Sequence, residues 1–348
     1  MNKETKLQII VIVVLSILLI FLIFTAGKML NTSRGMFNKN PFEEENTEKE
    51  TSRDDVDGGS NVNGENISLD DYDSNITINE GGTYNLSGSF KYSVLVDSKE
   101  KVTLNLNGVN INSSITAAIA NKGSGEMVIN IAKGTTNVLK DGGSSEFDGC
   151  IYSSGKLVIE GSGILKVYGN QEEGEGIATT DNDITINGGE IYVESKDDGL
   201  NAGGDNGGII TINGGNITVK ASGDGIDSNG SLVINGGSVY TMGSAKGGDA
   251  GIDTDKGFEI NGGNIIAIGS DMLQNPDKTS KQKYISFSMK NVINSGSKIV
   301  LKNRSNEIVN FTAEENFKTL ILSNSKMNAG TYDLYVNGEK TSYSYTIK

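Results

Sequence analysis

A carboxylate followed by glycine and an apolar residue recurs through the middle of the chain. The copies are Asp148-Gly149-Cys150, Glu175-Gly176-Ile177-Ala178, Asp198-Gly199-Leu200-Asn201, Asp224-Gly225-Ile226-Asp227 and Asp249-Ala250-Gly251-Ile252-Asp253. If these units stack, Asp148, Glu175, Asp198, Asp224 and Asp249 form a column of acids. Asn201, Asp227 and Asp253 then lie beside it, and Asn229 and Asp255 extend the cluster. From Gln171 to Lys256 there are 15 Asp and Glu against 4 Lys. Two carboxylates about 5 Å apart repel by roughly 1 kcal/mol in water and about 3–4 kcal/mol at a surface-like dielectric, so such a column calls for a neutralising cation. Calcium suits it, because it takes about 6–8 oxygen ligands from carboxylates, amide side chains and turn carbonyls. Magnesium asks for a tighter octahedron. The candidate ligands are Glu175, Asp198, Asn201, Asp224, Asp227, Asn229, Asp249, Asp253 and Asp255. The competing reading makes the same residues turn formers that accept backbone hydrogen bonds.

Other side chains near the ladder have narrower options. Lys196, Lys246 and Lys256 flank it and are the candidate bases if the chain is a lyase, although neighbouring carboxylates raise a lysine pKa and weaken it as a base. Tyr192 and Tyr240 should point outward with Thr218 between them and could stack on sugar rings. Asn187, Asn213, Asn235 and Asn261 should form an amide ladder that satisfies turn backbone. Cys150 aligns with Ile177, Leu200 and Ile226 and reads as a small core residue.

The elements that must carry these residues come from a repeat. Ile-Thr-Ile-Asn-Gly-Gly at 184–189 and 210–215, Leu-Val-Ile-Asn-Gly-Gly at 232–237 and Phe-Glu-Ile-Asn-Gly-Gly at 258–263 are its clearest copies, with weaker ones upstream. The third residue of each marks positions 78, 104, 129, 159, 186, 212, 234 and 260, a period of 22 to 30 residues. Each unit reads as two short alternating strands separated by Gly-Gly and a polar turn. Neither strand buries its apolar face alone, but stacked coils place Ile over Ile and pair the backbone in parallel ladders. The expected fold is therefore all-β: a right-handed single-stranded parallel β-helix of about eight coils over 67–270. A β-rich cap over 271–348 covers its C-terminal end.

Composition supports the same reading. The chain has 348 residues with 46 Gly, 2 Pro, one Cys, and no His or Trp. Ser-His-Asp chemistry, zinc, haem and iron–sulfur ligation lack their residues. A net charge of −14 argues against nucleic acid as a partner. Lys3 and Lys6 precede an apolar run from Leu7 to Phe24, so 1–30 reads as a single-pass anchor, or as a signal segment if it is cleaved. The positive-inside rule then puts the bulk of the chain on the extracellular face of the membrane. Residues 31–66 read as an acidic, extended linker, and the exported part is expected to be monomeric.

The Asp-Gly-Ile-Asp/Asn turn followed by Ile-Asn-Gly-Gly resembles a family of clostridial cell-surface carbohydrate-binding proteins that look like pectate lyases in fold. The resemblance covers about 66–348, including Met272-Leu273-Gln274 and Gly330-Thr331-Tyr332. It implies a calcium-binding right-handed β-helix that holds polygalacturonate and cellulose without cleaving them, with calcium at Asp198, Asn201, Asp224, Asp227, Asp249 and Asp253. Asp148-Gly149-Cys150-Ile151 departs from the pattern at its fourth residue. Three functions follow: a calcium-dependent module for acidic polysaccharide, a calcium-dependent pectate lyase, or a structural surface protein. The only arginines, Arg34, Arg53 and Arg304, lie outside the repeats, which disfavours an arginine-dependent lyase.

Overall fold

Short alternating runs make short strands, and each coil holds three of them where two were expected. Ile177–Thr180, Ile184–Ile186 and Glu190–Glu194 are the three strands of one coil. The additional strand is the acid-Gly motif itself: its apolar and polar residues, such as Ile226 and Asp227, belong to a ladder rather than to a turn. The computed structural model describes residues 60–61, 66–143 and 146–348. The apolar segment at 1–30 and nearly all of the 31–66 linker lie outside them. Among the described residues no helix is long and apolar enough to cross a membrane.

The three strand positions stack into three parallel faces of a β-solenoid. The first face runs from Ser60–Asn61 to Asp253–Thr254 and has nine strands. The second includes Met127–Ile131, Leu157–Gly161, Ile184–Ile186, Ile210–Ile212, Leu232–Ile234 and Phe258–Ile260 in register. The third includes Thr136–Lys140, Ile164–Tyr168, Glu190–Glu194, Asn216–Lys220, Ser238–Met242 and Asn264–Gly269. One long strand, Val102–Asn112, bends through a corner and pairs on both the second and third faces.

Seven of the eight repeat markers, Leu104 to Ile260, lie on the second face. Ile78 does not: it pairs with Val96 on the first face, and Tyr84 takes the second-face position. The solenoid has about seven turns, close to the eight coils expected. An Ile-Thr-Ile triplet alternates in the same way on any face, so the pattern alone could not say which face it occupied.

Inward positions form one continuous core. Ile184, Ile210, Leu232 and Phe258 are fully buried above one another, as are Ile186, Ile212, Ile234 and Ile260. Each such side chain contributes about 1.5–3 kcal/mol relative to exposure.

The amide ladder is present. Asn213 Nδ2 donates to Asn187 Oδ1 at 2.9 Å, Asn235 to Asn213 at 2.9 Å and Asn261 to Asn235 at 3.2 Å. The same column continues upstream, where Asn130 donates to Asn105 at 2.9 Å, Asn105 to Asn85 at 2.7 Å and Asn85 to Asn66 at 3.0 Å. Glu160, which pairs with Asn130, separates the two runs. After the ladder the chain turns through the second Gly of each pair. Gly215 has φ +97, and a Cβ there would meet Gly189 O at 2.9 Å.

The C-terminal segment covers the end of the solenoid. Phe317–Ser323 pairs antiparallel with the last third-face strand, Asn264–Gly269, and Tyr284–Ile293 pairs antiparallel with Phe317–Ser323. Gln274 Nε2 donates to Thr254 O at 2.6 Å, and Gln282 N donates to Ile260 O at 3.0 Å. At this end of the solenoid the edge of each face therefore has a partner, which removes a template for edge-to-edge pairing there. A four-stranded antiparallel sheet follows, in the order Asn306–Thr312, Lys298–Asn303, Gly330–Val336, Glu339–Ile347. Its core includes Phe317, Leu301, Tyr332 and Leu334.

Candidate metal centre and carbohydrate surface

Backbone register decides which acids stack. Ile177 pairs with Ile151 and Leu200, and Leu200 pairs with Ile226. The residues two positions earlier, Glu175, Asp198 and Asp224, therefore share a column. Asp148 and Asp249 fall one residue outside it. Ile151 N and Ile226 N donate to Gly176 O and Gly251 O, so Gly149 and Ala250 hold the column positions. By the same register Cys150 stands where Gly176 and Gly199 stand, not where Ile177 stands. It is nevertheless fully buried in the core, and burial raises its thiol pKa well above the usual value. The motif glycine is steric: a Cβ on Gly199 would sit 2.0 Å from Val219 Cγ1 and 2.6 Å from Gly225 O.

The column acids also tie successive coils together. Asp198 Oδ1 accepts the Asp224 N–H at 2.7 Å, and Asp224 Oδ1 accepts the Ala250 N–H. Glu175, only 8% exposed, accepts a 2.6 Å hydrogen bond from Asn201 Nδ2, which also reaches Asp198 Oδ2 at 3.2 Å. The turn-former reading thus describes one oxygen of Asp198 and one of Asp224.

The second column runs Ala178, Asn201, Asp227, Asp253 along the first face. Here Asp224, Asp227 and Asp253 each offer a carboxylate oxygen, and all three oxygens lie within 4.8 Å of one another. One ladder step away, Asn201 Oδ1 is buried with no hydrogen-bond partner. An oxygen-only set of three carboxylates beside an orphaned amide oxygen fits a hard divalent cation. These residues would hold calcium, which would supply positive charge for an anionic ligand.

Electrostatics register the same crowding. Burial, with the charges of Asp148, Asp198 and Asp197, pushes Glu175 up to about 9, so it is protonated at neutral pH. Burial and the neighbouring acids Asp224, Asp197 and Asp227 raise Asp198 to about 7. Asp224 rises to about 7 through burial, Asp253, Asp227 and Asp249, and Asp227 to about 6 through burial, Asp253 and Asp255.

The remaining candidates spread out. Asn229 Nδ2 donates to Gly204 O at 3.1 Å, and Asn229 lines a cleft of about 250 Å³ with Asp148, Tyr152, Glu175 and Asn201. Asp249 and Asp255 act on the triad by charge, and Asp255 is exposed. Asp197 was missed from sequence, yet its charge acts on Asp148, Glu175, Asp198 and Asp227. The adjacent pair Asp197-Asp198 was the available signal.

Tyr192, Thr218 and Tyr240 do align across the third face. Their surroundings differ. Tyr192 packs at 6.0 Å from Tyr168, and its hydroxyl donates to Glu194 Oε2 at 2.9 Å. Tyr240 lies under the cap, edge-on to Phe311 at 5.7 Å, with its hydroxyl accepting the Glu314 N–H at 3.1 Å. The cap engages both the ring and the hydroxyl, so Tyr240 is a cap contact rather than a free stacking platform. Lys196 and Lys246 line a groove of about 450 Å³ that shares no lining residue with the acidic triad. Lys256 is exposed elsewhere, its Nζ 3.4 Å from Asn206 O.

The fold and its surface define a capped parallel β-solenoid with an acidic first face. A family model described as carbohydrate-binding domain-containing protein matches residues 72–336, about three quarters of the chain, and the chain belongs to that family. A carbohydrate-binding domain-containing protein of Acetivibrio thermocellus is 36% identical over 146 residues, 38% of this chain and 50% of the relative. The chain thus spans about half the length of the curated relative it matches. A solved polysaccharide lyase-like protein from C. thermocellum, a gadolinium derivative, aligns at 29% identity with a TM-score of 0.45. The alignment covers 65% of this chain and 92% of that one.

Proposed function

We propose that the chain is a non-catalytic, calcium-dependent carbohydrate-binding protein of the cell surface that holds acidic plant polysaccharide such as polygalacturonate or pectin, with cellulose as a further ligand. The observation that carries this reading is the Asp224, Asp227, Asp253 triad with the unpartnered Asn201 Oδ1 beside it. A bare carboxylate surface repels a polyuronate, whereas calcium held there turns the repulsion into a bridge. A flat face of repeating coils also suits a repeating polymer better than a small molecule, which needs a concave pocket. The apolar run Leu7–Phe24 would anchor the chain and leave the solenoid outside the cell. A lyase would need a base beside the metal, and the neighbouring charges that raise Asp224 and Asp227 are carboxylates.

The test is a calorimetric calcium titration of the full chain in mild detergent, with and without polygalacturonate, while absorbance follows unsaturated product. Calcium-dependent polymer binding with flat absorbance is the expected result. Rising absorbance would make the protein a lyase. Calcium binding without sugar affinity would leave a structural surface protein, and no calcium binding at all would reduce the acids to turn formers.

A further inference from the structure

Three of the four lysines between Gln171 and Lys256 converge on one groove, in a segment that carries 15 acids. Lys196 follows the third-face strand Glu190–Glu194, Lys220 ends the next one, and Lys246 follows the one after that. The three lysines thus come from consecutive coils at the same corner of the solenoid. The cap closes the other side through Glu315, whose carboxylate pairs with Lys220 at 2.7 Å, and Asn316. That pair neutralises Lys220. Lys196 and Lys246 are exposed, and neither has an ion pair among the described residues. The lining includes the small residues Gly169, Ala221, Gly243 and Ala245, and the groove has a volume of about 450 Å³. Adjoining these lining residues, Tyr192 bonds to Glu194, and Tyr168, next to Gly169 in sequence, packs against Tyr192.

We propose that this groove is a second, calcium-independent subsite for a uronate unit of an acidic glycan, with Lys196 and Lys246 pairing the sugar carboxylate and the Tyr168–Tyr192 pair flanking the pyranose ring. The inference rests on the carbohydrate-binding reading but not on the metal. Two unpaired ammonium groups give a carboxylate charge-assisted hydrogen bonds, and an aromatic edge beside them gives a pyranose ring apolar contact. Glu194 and Ser222 are placed to meet sugar hydroxyls. Acid clusters and lysine groove together would let one polyuronate be held both through calcium and directly, so that each contact raises the effective concentration for the other.

The experiment measures binding of a galacturonate hexamer to the full chain by calorimetry, in calcium and in EDTA, at low and high salt, with a cello-hexamer as neutral comparator. In EDTA at low salt the wild type should bind the acidic hexamer and not the neutral one, and binding should weaken in high salt. Lys196→Gln/Lys246→Gln should lower that affinity by about tenfold or more, with the melting temperature and calcium titration unchanged. Asp227→Asn should lower calcium binding and leave the EDTA affinity in place. Absence of EDTA binding in the folded wild type, or a double lysine variant that binds like wild type, would overturn the subsite. If instead calcium never enhances polyuronate binding while the lysine-dependent binding persists, the metal bridge fails and the groove stands.

Discussion

Asp227 belongs to the oxygen triad and lies on a strand rather than in a turn, so it can be changed with little effect on the coil around it. Asp227→Asn keeps the shape and removes one charge, and calcium affinity should fall at least about tenfold by calorimetry. Wild-type affinity in that variant would sink the triad. The titrating acids make a second prediction. A carboxyl whose pKa is higher in the fold than in the unfolded chain keeps a proton that unfolding releases. Its contribution is therefore complete below the unfolded value and is lost as pH rises through the folded one. For Asp227, Asp198, Asp224 and Glu175 the window runs from the ordinary carboxyl values of 3.8 and 4.5 up to about 6, 7, 7 and 9. Without calcium the melting temperature should fall between pH 5 and 9. Glu175→Gln keeps an acceptor for Asn201 and cannot ionise, so at pH 9 it should melt at least about 2 °C above wild type. Parallel pH curves for the two proteins would show that Glu175 carries none of the slope.

At the level of the coil, two columns can be probed. Gly215 combines φ +97 with a backbone oxygen 2.9 Å from where a Cβ would stand. Gly215→Ala should cost about 1–3 kcal/mol in urea unfolding, whereas an exposed-loop change such as Gly296→Ala, also at positive φ but with open space around it, should cost less. Equal losses would mean that the inter-coil contact is immaterial. Glu160 interrupts the asparagine column between Asn130 and Asn187. Glu160→Asn should join the two runs and stabilise the fold by about 0.5–1.5 kcal/mol per hydrogen bond made. The asparagine column was legible in the Ile-Asn-Gly-Gly repeats because it sits at a constant offset within them. Its upstream half was not, since Asn85, Asn105 and Asn130 lack the Gly-Gly that marks the later copies.

Across the whole molecule, the cap and the acidic face set behaviour. Ending the chain after Ser270 would expose the open edge of Asn264–Gly269, now paired with Phe317–Ser323. Light scattering should then show oligomers or aggregate, and a stable monomer would show that the edge needs no cover. Calcium at about 100 times its dissociation constant should stabilise the full chain by about 2.7 kcal/mol, read as a raised melting temperature that EDTA reverses. The cap also closes the lysine groove through Glu315 and covers Tyr240, so it shapes the surface as well as ending the solenoid.

Sequence alone determined the stacked parallel architecture, the amide ladder and the acidic character of one strip, because period, alternation and glycine spacing are local properties that stacking only repeats. Tertiary structure decided register and neighbourhood. One extra residue between the acid and the ladder isoleucine, at Asp148–Ile151 and Asp249–Ile252, removed Asp148 and Asp249 from the column and moved Cys150 to a glycine position; aligning the motifs on their acids hid this, because ladder hydrogen bonds made by the isoleucines set the phase. The third strand of each coil and the face of Ile78 were hidden because alternation has the same period on every face. The convergence of Lys196, Lys220 and Lys246 on one corner, and of Phe311 on Tyr240, depends on contacts between residues tens of positions apart, and those exist only once the coils and the cap have packed.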